Sequence, residues 1–147
     1  MNEVEFTALL DTIIEDAKTA VLATVDSDGR PHVRWMTPTL LAGRPGAIYA
    51  VTSPDFQKAA HLDTNPRAAW MFQTRLLSRI ARVSGKVNVI DNSAMKNEVL
   101  EGIGRRLNVF WRVNKDPSKL VVLETVIETA EYSEPMKNKY ERIAFKG

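Results

Sequence analysis

The sequence contains no cysteine and only two histidines among its 147 residues. Without cysteine the chain cannot form a disulfide bond, a thiolate nucleophile or a zinc–thiolate site. This composition suits a reducing compartment, so we expect a cytoplasmic protein. His32 and His61 do not belong to any pattern with the spacing of metal ligands, and we read them as partly exposed histidines of a strand and a helix. No metal site is therefore predicted.

Long hydrophobic runs and an excess of either charge are also missing. No apolar stretch approaches the roughly 18 residues of a membrane-spanning helix, and MNEVEFTALLDTII carries early acids in place of the basic start of a signal peptide. We expect no membrane association. The 20 basic and 18 acidic residues leave a net charge of +2. This balance argues against nucleic acid as a partner, although salt-sensitive oligonucleotide binding would revive that alternative.

What the sequence does contain is typical of one globular domain. Hydrophobic residues make up 44% of the chain and charged residues 26%, and a chain of this length can bury one sizeable core. The sequence shows no internal repeat, no low-complexity tract and no linker. We therefore treat residues 1–147 as a single domain.

Apolar spacing predicts an amphipathic helix over residues 3–17, followed by a series of short strands. The strands are predicted at 19–25, 31–41, 47–52, 67–74 and 79–91, with one or two more over 116–134 and a last one over 140–146. Short helices are predicted over 53–65 and over 92–108, the second one interrupted by GIG (102–104). DSDG (26–29) forms a hairpin turn, and Gly85 marks a bulge or bend. Because strands and helices do not alternate, the fold class is mainly β, a small barrel of about six strands in sequential hairpins.

Several basic residues are candidates for an anion site. Arg34 lies in the middle of the second strand, where an arginine points either to solvent or to an anion. In VTSPDFQKAAHL a strand leads into a helix start at Ser53 with Lys58 nearby, an arrangement that can hold a phosphate or be an ordinary capped helix. The turn between the fourth and fifth strands carries a further cluster, either a solvated turn or the wall of an anionic site: Arg75, Arg79 and Arg82.

The order of these segments resembles the pyridoxamine 5′-phosphate oxidase-like family of FMN-binding split barrels. The resemblance is carried by AVLATVDSDGRPHVRWMTP, IYAVTSPDFQKAAHLDTNPRAAWMF and ARVSGKVNVID, within residues 18–91. The tail DPSKLVVLETVIETAEY is similar to the general-stress-protein branch. This resemblance implies a six-stranded antiparallel split β-barrel that forms a homodimer, with FMN at the subunit interface touching both chains.

The resemblance also implies which residues hold the cofactor. Arg34 and Lys58 match the ligands of the FMN phosphate, as a dianion beside a helix start would require. The backbone of Trp35, Met36 and Thr37 would lie along the isoalloxazine ring. The remaining implied cofactor residues are Thr52 and Ser53 at the end of the third strand, Arg79, and Trp111, which is either an aromatic near the partner's flavin or an anchor for a helix.

Some residues depart from the family pattern. Phe56 and Gln57 replace the serine and arginine that often precede the lysine, Ile80 replaces a flavin-contacting glutamine, and Asp55 adds a negative charge. A hydrogen bond to a charged group contributes about 1.5–3 kcal/mol, so FMN is expected to bind roughly ten- to a hundred-fold more weakly than in a relative with the full motif. A deazaflavin or haem in place of FMN remains an alternative.

The resemblance implies a flavin-dependent oxidoreductase that uses a small-molecule electron donor or acceptor, with the flavin supplying the redox chemistry. The alternative is a carrier or stress-linked binding protein without turnover. No residue matches a dedicated general acid or base, so no catalytic residue is predicted. Oxidation of pyridoxamine phosphate itself is not expected, because the chain stops at AFKG without the C-terminal extension that grips the substrate in authentic oxidases.

Overall fold

The structure, a computed structural model, describes residues 1–53, 55, 62–104 and 117–146. Its helices and strands are, in chain order, α1 (Glu3–Ala17), β1 (Ala20–Val25), β2 (Pro31–Met36), β3 (Ala47–Thr52), β4 (Arg67–Gln73), β5 (Ile80–Ile90), α2 (Ser93–Ile103), β6 (Val121–Glu134) and β7 (Lys139–Ala144). Among these residues, neither helix combines the length and the hydrophobicity needed to cross a membrane. The predicted helix over 53–65 lies largely outside the described residues.

All seven strands belong to one antiparallel sheet. Six of them follow the path β2-β1-β4-β5-β6-β3, and β7 pairs with β6 beside that path. This confirms the mainly β fold class and the antiparallel split barrel. The prediction of sequential hairpins is wrong for β3, which pairs with the first half of β6 along its whole length. The region predicted as one or two strands forms one strand, β6, which is long enough to pair with β3 and then with β7 along the same edge.

The main core lies between α1 and the sheet. Helix α1 buries Phe6, Leu10, Ile13 and Ile14, as its apolar spacing predicts, and packs against β4, β5 and β7. The sheet contributes the largest buried side chains of the core: Leu22, Ile48, Trp70, Phe72, Val83, Leu123 and Tyr132. Because burial of one large apolar side chain contributes about 1.5–3 kcal/mol, this core fixes the relative positions of α1 and the strands.

Strand β3 is buried on both faces. Ile48 and Ala50 point into the main core, whereas Tyr49 and Val51 pack in a second cluster beneath α2. Helix α2 begins after Asn92, whose side chain accepts a hydrogen bond from the Met95 N–H at 2.9 Å. It ends at Ile103 and Gly104 takes a positive φ of 56°, within the GIG segment (102–104) where the sequence predicts an interruption. Residues 105–116 lie outside the described part of the chain.

The turn between β1 and β2 sets the register of that hairpin. Asp26 Oδ1 accepts hydrogen bonds from the backbone N–H groups of Asp28 and Arg30, both at 2.9 Å. The resulting register pairs Val25 with Pro31. The predicted strand over 31–41 ends already at Met36, because the next residue precedes Pro38, which has no N–H to donate to a ladder.

Gly85 forms the bulge that the sequence predicts. The register between β5 and β6 shifts between Ser84 and Gly85. A Cβ atom at this position would overlap the carbonyl oxygen of Val126. The position therefore requires glycine, since any side chain would push the two central strands apart.

Candidate anion-binding site between strands β2 and β3

The two ends of the sheet path, β2 and β3, meet at one point. Thr39 N–H donates to the Tyr49 carbonyl at 2.8 Å, and Tyr49 N–H donates to the Thr39 carbonyl at 2.9 Å. Strand β2 ends at Met36, before Thr39 of the bridge, and β3 continues from Tyr49 to Thr52 beyond the bridge. The bridge is antiparallel. The C-terminal end of β2 and the C-terminal end of β3 therefore lie on the same side of the bridge.

Beyond that bridge, the described residues show no further pairing between β2 and β3, so the sheet opens there. We call this opening the β2–β3 gap, and its borders are residues 34–37 on one side and residues 52–53 on the other. Six of the residues predicted to bind the cofactor lie on these borders: Arg34, Trp35, Met36, Thr37, Thr52 and Ser53. The fold thus brings together segments that are 15 or more positions apart in the sequence.

Arg34 supplies a positive charge at the border of the gap. It pairs with Leu22 across the hairpin and shares the inner face with that core residue. Its Nη1 donates to Thr24 Oγ1 at 2.9 Å. Burial lowers the pKa of the guanidinium from its usual value of 12.5, and an arginine still remains charged at neutral pH. Arg34 is therefore a partly buried, hydrogen-bonded cation. It is not the fully solvated arginine that the sequence left open as the alternative to an anion ligand.

Thr24, which contacts Arg34 at the candidate site, was missed by the sequence reasoning. It is 1% exposed and lies on the same face of β1 as Leu22. The signal was present in the DSDG turn, because that turn fixes the register and thereby places Thr24 diagonally opposite Arg34. Reading that signal would have required the hairpin register as well as the residue types.

The other border residues differ in what they expose. Thr37 is 4% exposed, and its buried Oγ1 has no hydrogen-bond partner among the residues that the structure describes. Thr52 is also buried, and Ser53 is partly exposed. Met36 packs in the main core, so only its backbone borders the gap. Trp35 points to the outer face of the sheet and is 47% exposed.

The arginines in and beside the β4–β5 turn (Arg75, Arg79 and Arg82) contact residues other than Arg34. Arg79 lies directly before β5, three strands from β2 along the sheet path, and its Nη1 contacts Thr12 Oγ1 of α1 at 3.4 Å. Arg75 Nη2 pairs with Asp16 Oδ1 at 3.5 Å, and Arg82 Nη2 pairs with Glu131 Oε2 at 2.7 Å. These contacts do not join the arginines to the β2–β3 gap, so a role for Arg79 at the cofactor stays a prediction.

Two predicted cofactor residues, Lys58 and Trp111, lie outside the described residues, as do Phe56 and Gln57. Asp55 is described, and it is exposed and helical. The second cation of the predicted phosphate site therefore remains a prediction from the sequence.

The residues of the gap fit the phosphate end of a flavin nucleotide. A phosphate monoester carries close to two negative charges at neutral pH and accepts several hydrogen bonds. The borders of the gap carry one guanidinium, which binds oxyanions well, and three residues with hydroxyl groups: Thr37, Thr52 and Ser53. The buried Thr37 hydroxyl without a partner is the kind of group that a ligand would satisfy. No cluster of metal-ligand side chains occurs in the described part of the chain.

The fold is that of a split barrel, and the opening of its sheet is a candidate anion site. The chain belongs to the pyridoxamine 5′-phosphate oxidase family, whose model matches residues 6–134.

Curated relatives of the chain are pyridoxine/pyridoxamine 5′-phosphate oxidases. The protein of Pseudomonas entomophila is 37% identical over 75 residues, which are 51% of this chain and 34% of the relative. The protein of Paraburkholderia phytofirmans is 30% identical over 131 residues, which are 86% of this chain and 57% of the relative. The chain therefore spans less than two thirds of the length of these relatives.

Solved structures share the fold at low identity. The General Stress Protein 26 of Bacillus anthracis has a TM-score of 0.70 at 20% identity, covering 94% of this chain and 98% of that one. A pyridoxamine 5′-phosphate oxidase-related, FMN binding protein of Nostoc punctiforme has a TM-score of 0.65 at 16% identity, and the match covers 98% of this chain and 95% of that one. A heme binding protein of Mycobacterium smegmatis has a TM-score of 0.70 at 17% identity, covering 92% and 56%. The fold expected from the general-stress-protein resemblance is thereby confirmed.

Proposed function

We propose that this chain binds FMN with its phosphate in the β2–β3 gap and acts as a flavin-dependent oxidoreductase. The observation that carries the proposal is the position of Arg34, whose partly buried guanidinium is hydrogen-bonded to Thr24 at the border of the β2–β3 gap. Membership of the family supports the same cofactor, as does the Nostoc punctiforme neighbour that is named an FMN binding protein.

The phosphate would be held by charge-assisted hydrogen bonds. Arg34 provides the guanidinium, and Thr37, Thr52 and Ser53 provide hydroxyl groups within the same gap. Lys58, predicted from the sequence, would add a second positive charge. Each charge-assisted hydrogen bond contributes about 1.5–3 kcal/mol, so two or three of them account for a clear preference for FMN over riboflavin, which lacks the phosphate.

The ring of the flavin would lie beside the backbone that continues from Arg34 to Thr37. On the other side of that backbone lies a contiguous apolar surface, which we call the outer apolar face. It is formed by exposed side chains of three adjacent strands: Val21 (36% exposed), Val33 (70%), Trp35 (47%) and Met71 (37%). Val21 pairs with Trp35 on β2 and with Met71 on β4, so the patch is continuous.

We propose that a second copy of the chain covers the outer apolar face. Contiguous exposed apolar side chains mark interaction surfaces, and this one adjoins the proposed cofactor site through Trp35. A homodimer built on this face would enclose the flavin ring between two chains. The ring would then be shielded from bulk water on both sides.

Bound FMN supplies redox chemistry, and the residues of this chain bind and orient it. The described borders of the gap carry hydroxyl groups and one guanidinium but no histidine or carboxylate. This composition also supports the second candidate, a flavin carrier without turnover. The Mycobacterium smegmatis neighbour, named a heme binding protein, makes haem the alternative cofactor.

The absorbance spectrum of the purified protein tests the proposed cofactor. We expect flavin bands, and we expect the molecule released on denaturation to have the mass of FMN. A Soret band would instead identify the bound cofactor as haem. Colourless protein whose thermal unfolding is unchanged by added FMN would overturn the proposal, since a ligand that binds the native state must stabilise it.

Anaerobic mixing of the FMN-loaded protein with NADH or NADPH separates the two candidate functions. Bleaching of the flavin band, followed by reoxidation with an added acceptor, is expected for the oxidoreductase. Flavin that stays oxidised with both donors favours the carrier.

A further inference from the structure

We infer that Thr24 is a positioning residue of the cofactor site, whose hydroxyl group orients the Arg34 guanidinium towards the phosphate. The inference rests on the proposed function and adds a residue that does not touch the cofactor itself. Arg34 Nη1 lies 2.9 Å from Thr24 Oγ1, in the middle of the range for a hydrogen bond from nitrogen to oxygen.

Thr24 is a rigid acceptor. Strand β1 lies between β2 and β4, and Thr24 pairs with His32 on one side and with Ala68 on the other. Its side chain is 1% exposed, and a β-branched residue has few rotamers. Arg34, by contrast, lies on β2, the terminal strand of the sheet path, and its long side chain has many rotamers.

The orientation of the guanidinium decides how well it binds a phosphate. A guanidinium binds two oxygen atoms through parallel N–H groups only when the edge that carries these groups points at the oxygens, because the N–H bonds lie in its plane. A hydrogen bond from Nη1 to a fixed acceptor selects the rotamer and restricts rotation of that plane. Because this ordering is present before the cofactor binds, less entropy is lost on binding.

The alternative role of Thr24 is to satisfy a partly buried arginine for the sake of the fold alone. The two roles differ in their effect on ligands with and without a phosphate. A positioning role affects FMN and leaves riboflavin unchanged, because riboflavin presents no phosphate to Arg34. A structural role affects both ligands equally or affects only the stability of the protein.

The test measures the dissociation constants of FMN and riboflavin, by quenching of flavin fluorescence, for the wild type, Thr24→Val and Thr24→Ser. Valine keeps the shape and removes the acceptor, whereas serine keeps the acceptor. We expect Thr24→Val to weaken FMN binding about five- to twenty-fold with riboflavin within two-fold of the wild type, and we expect Thr24→Ser to restore FMN binding to within about three-fold.

A double-mutant cycle with Arg34→Gln shows whether Thr24 acts through Arg34. We expect Thr24→Val to change FMN binding by less than about two-fold in the Arg34→Gln background, because coupled residues are not additive. If Thr24→Val does not fold, Thr24→Ala takes its place in the same cycle. An equal loss of FMN and riboflavin, or an undiminished effect in the Arg34→Gln background, would overturn the inference.

The result for the wild type separates the inference from the proposed function. A wild-type protein that does not prefer FMN over riboflavin refutes the proposed phosphate site and the inference with it. A wild-type protein that prefers FMN while Thr24→Val keeps the same preference refutes only the role of Thr24.

Discussion

At the scale of single residues, Thr37 and Thr125 show the same side chain in opposite situations. Thr125 is 0% exposed and accepts a hydrogen bond from Trp70 Nε1 at 2.9 Å. Thr37 is also buried, but its hydroxyl group has no hydrogen-bond partner in the described part of the chain. The first hydroxyl stabilises the fold, whereas the second costs folding free energy unless a ligand satisfies it.

Replacing each threonine by valine tests this difference. We expect Thr37→Val to raise the free energy of unfolding of the cofactor-free protein by about 1 kcal/mol and to weaken FMN binding about five-fold. Thr125→Val, the matched control, should lower the free energy of unfolding by about 1–3 kcal/mol because the buried indole N–H of Trp70 loses its acceptor. Urea unfolding and FMN titration measure both effects. Destabilisation by Thr37→Val together with unchanged FMN binding would contradict this account of Thr37.

Asp26 gives the β1–β2 turn a dependence on pH. The hydrogen bond with His32, followed by those from the backbone N–H groups of Arg30 and Asp28, holds the pKa of Asp26 at about 2, below its usual value of 3.8. The folded-state pKa is depressed, so the ionised carboxylate stabilises the fold fully above the usual pKa. This stabilisation is lost as the pH falls towards the folded-state pKa.

The pH dependence is measurable by comparing the wild type with Asp26→Asn. The wild type should be the more stable protein at pH 5, and the difference in unfolding free energy should shrink between pH 4 and pH 2 (roughly the range between the two pKa values). Asp28→Asn is the matched control, because Asp28 contributes its backbone N–H to the turn. A difference that stays constant over this range would rule out the stated role of the Asp26 carboxylate.

The sequence predicts part of the candidate site at this scale. Arg34 could be selected for two reasons. It lies in the middle of a predicted strand, and the order of segments resembles a family in which the matching arginine binds the FMN phosphate. Thr24 was missed because its contact with Arg34 follows from the hairpin register, which residue types alone do not give. Thr37 was predicted for its backbone, whereas the burial of its hydroxyl group depends on the core. Such contacts are properties of the folded chain, and residue type alone does not encode them.

At the scale of elements, the bulge in β5 requires a residue without a side chain at position 85. A side chain at position 85 would meet the Val126 carbonyl oxygen of the neighbouring strand. We expect Gly85→Ala to destabilise the protein by about 3 kcal/mol or more, since two central strands must separate. Gly43→Ala is the control, because nothing lies within 4 Å of a Cβ there. Thermal unfolding measures both variants, and equal stabilities would contradict this account of the bulge.

Local patterns predicted most element positions but not all strand partners. The spacing of α1 and the glycine of the β5 bulge are local features, and both predictions are confirmed. The partner of β3 was predicted wrongly, because β3 is apolar on both faces and pairs with a strand far along the chain. Strand pairing over such distances depends on the whole core, which one segment does not specify.

At the scale of the whole molecule, the outer apolar face predicts self-association. Val33→Glu places a charge in that face, and burial of an unpaired charge is strongly unfavourable. We expect sedimentation to show a dimer for the wild type and a monomer for Val33→Glu, with weaker FMN binding by the monomer. Val4→Glu is the control, because Val4 is a similarly exposed valine (79%) on α1. A dimer that persists in Val33→Glu would place the interface elsewhere.

The central claim is that the opening between β2 and β3 holds the phosphate of FMN through Arg34. The most direct test is the ratio of the riboflavin and FMN dissociation constants in the wild type and in Arg34→Gln. The account predicts that this ratio falls at least about ten-fold in Arg34→Gln, with the affinity for riboflavin unchanged, because one charge-assisted contact with the phosphate is lost. An unchanged ratio would show that the phosphate does not bind at Arg34 and would contradict the account.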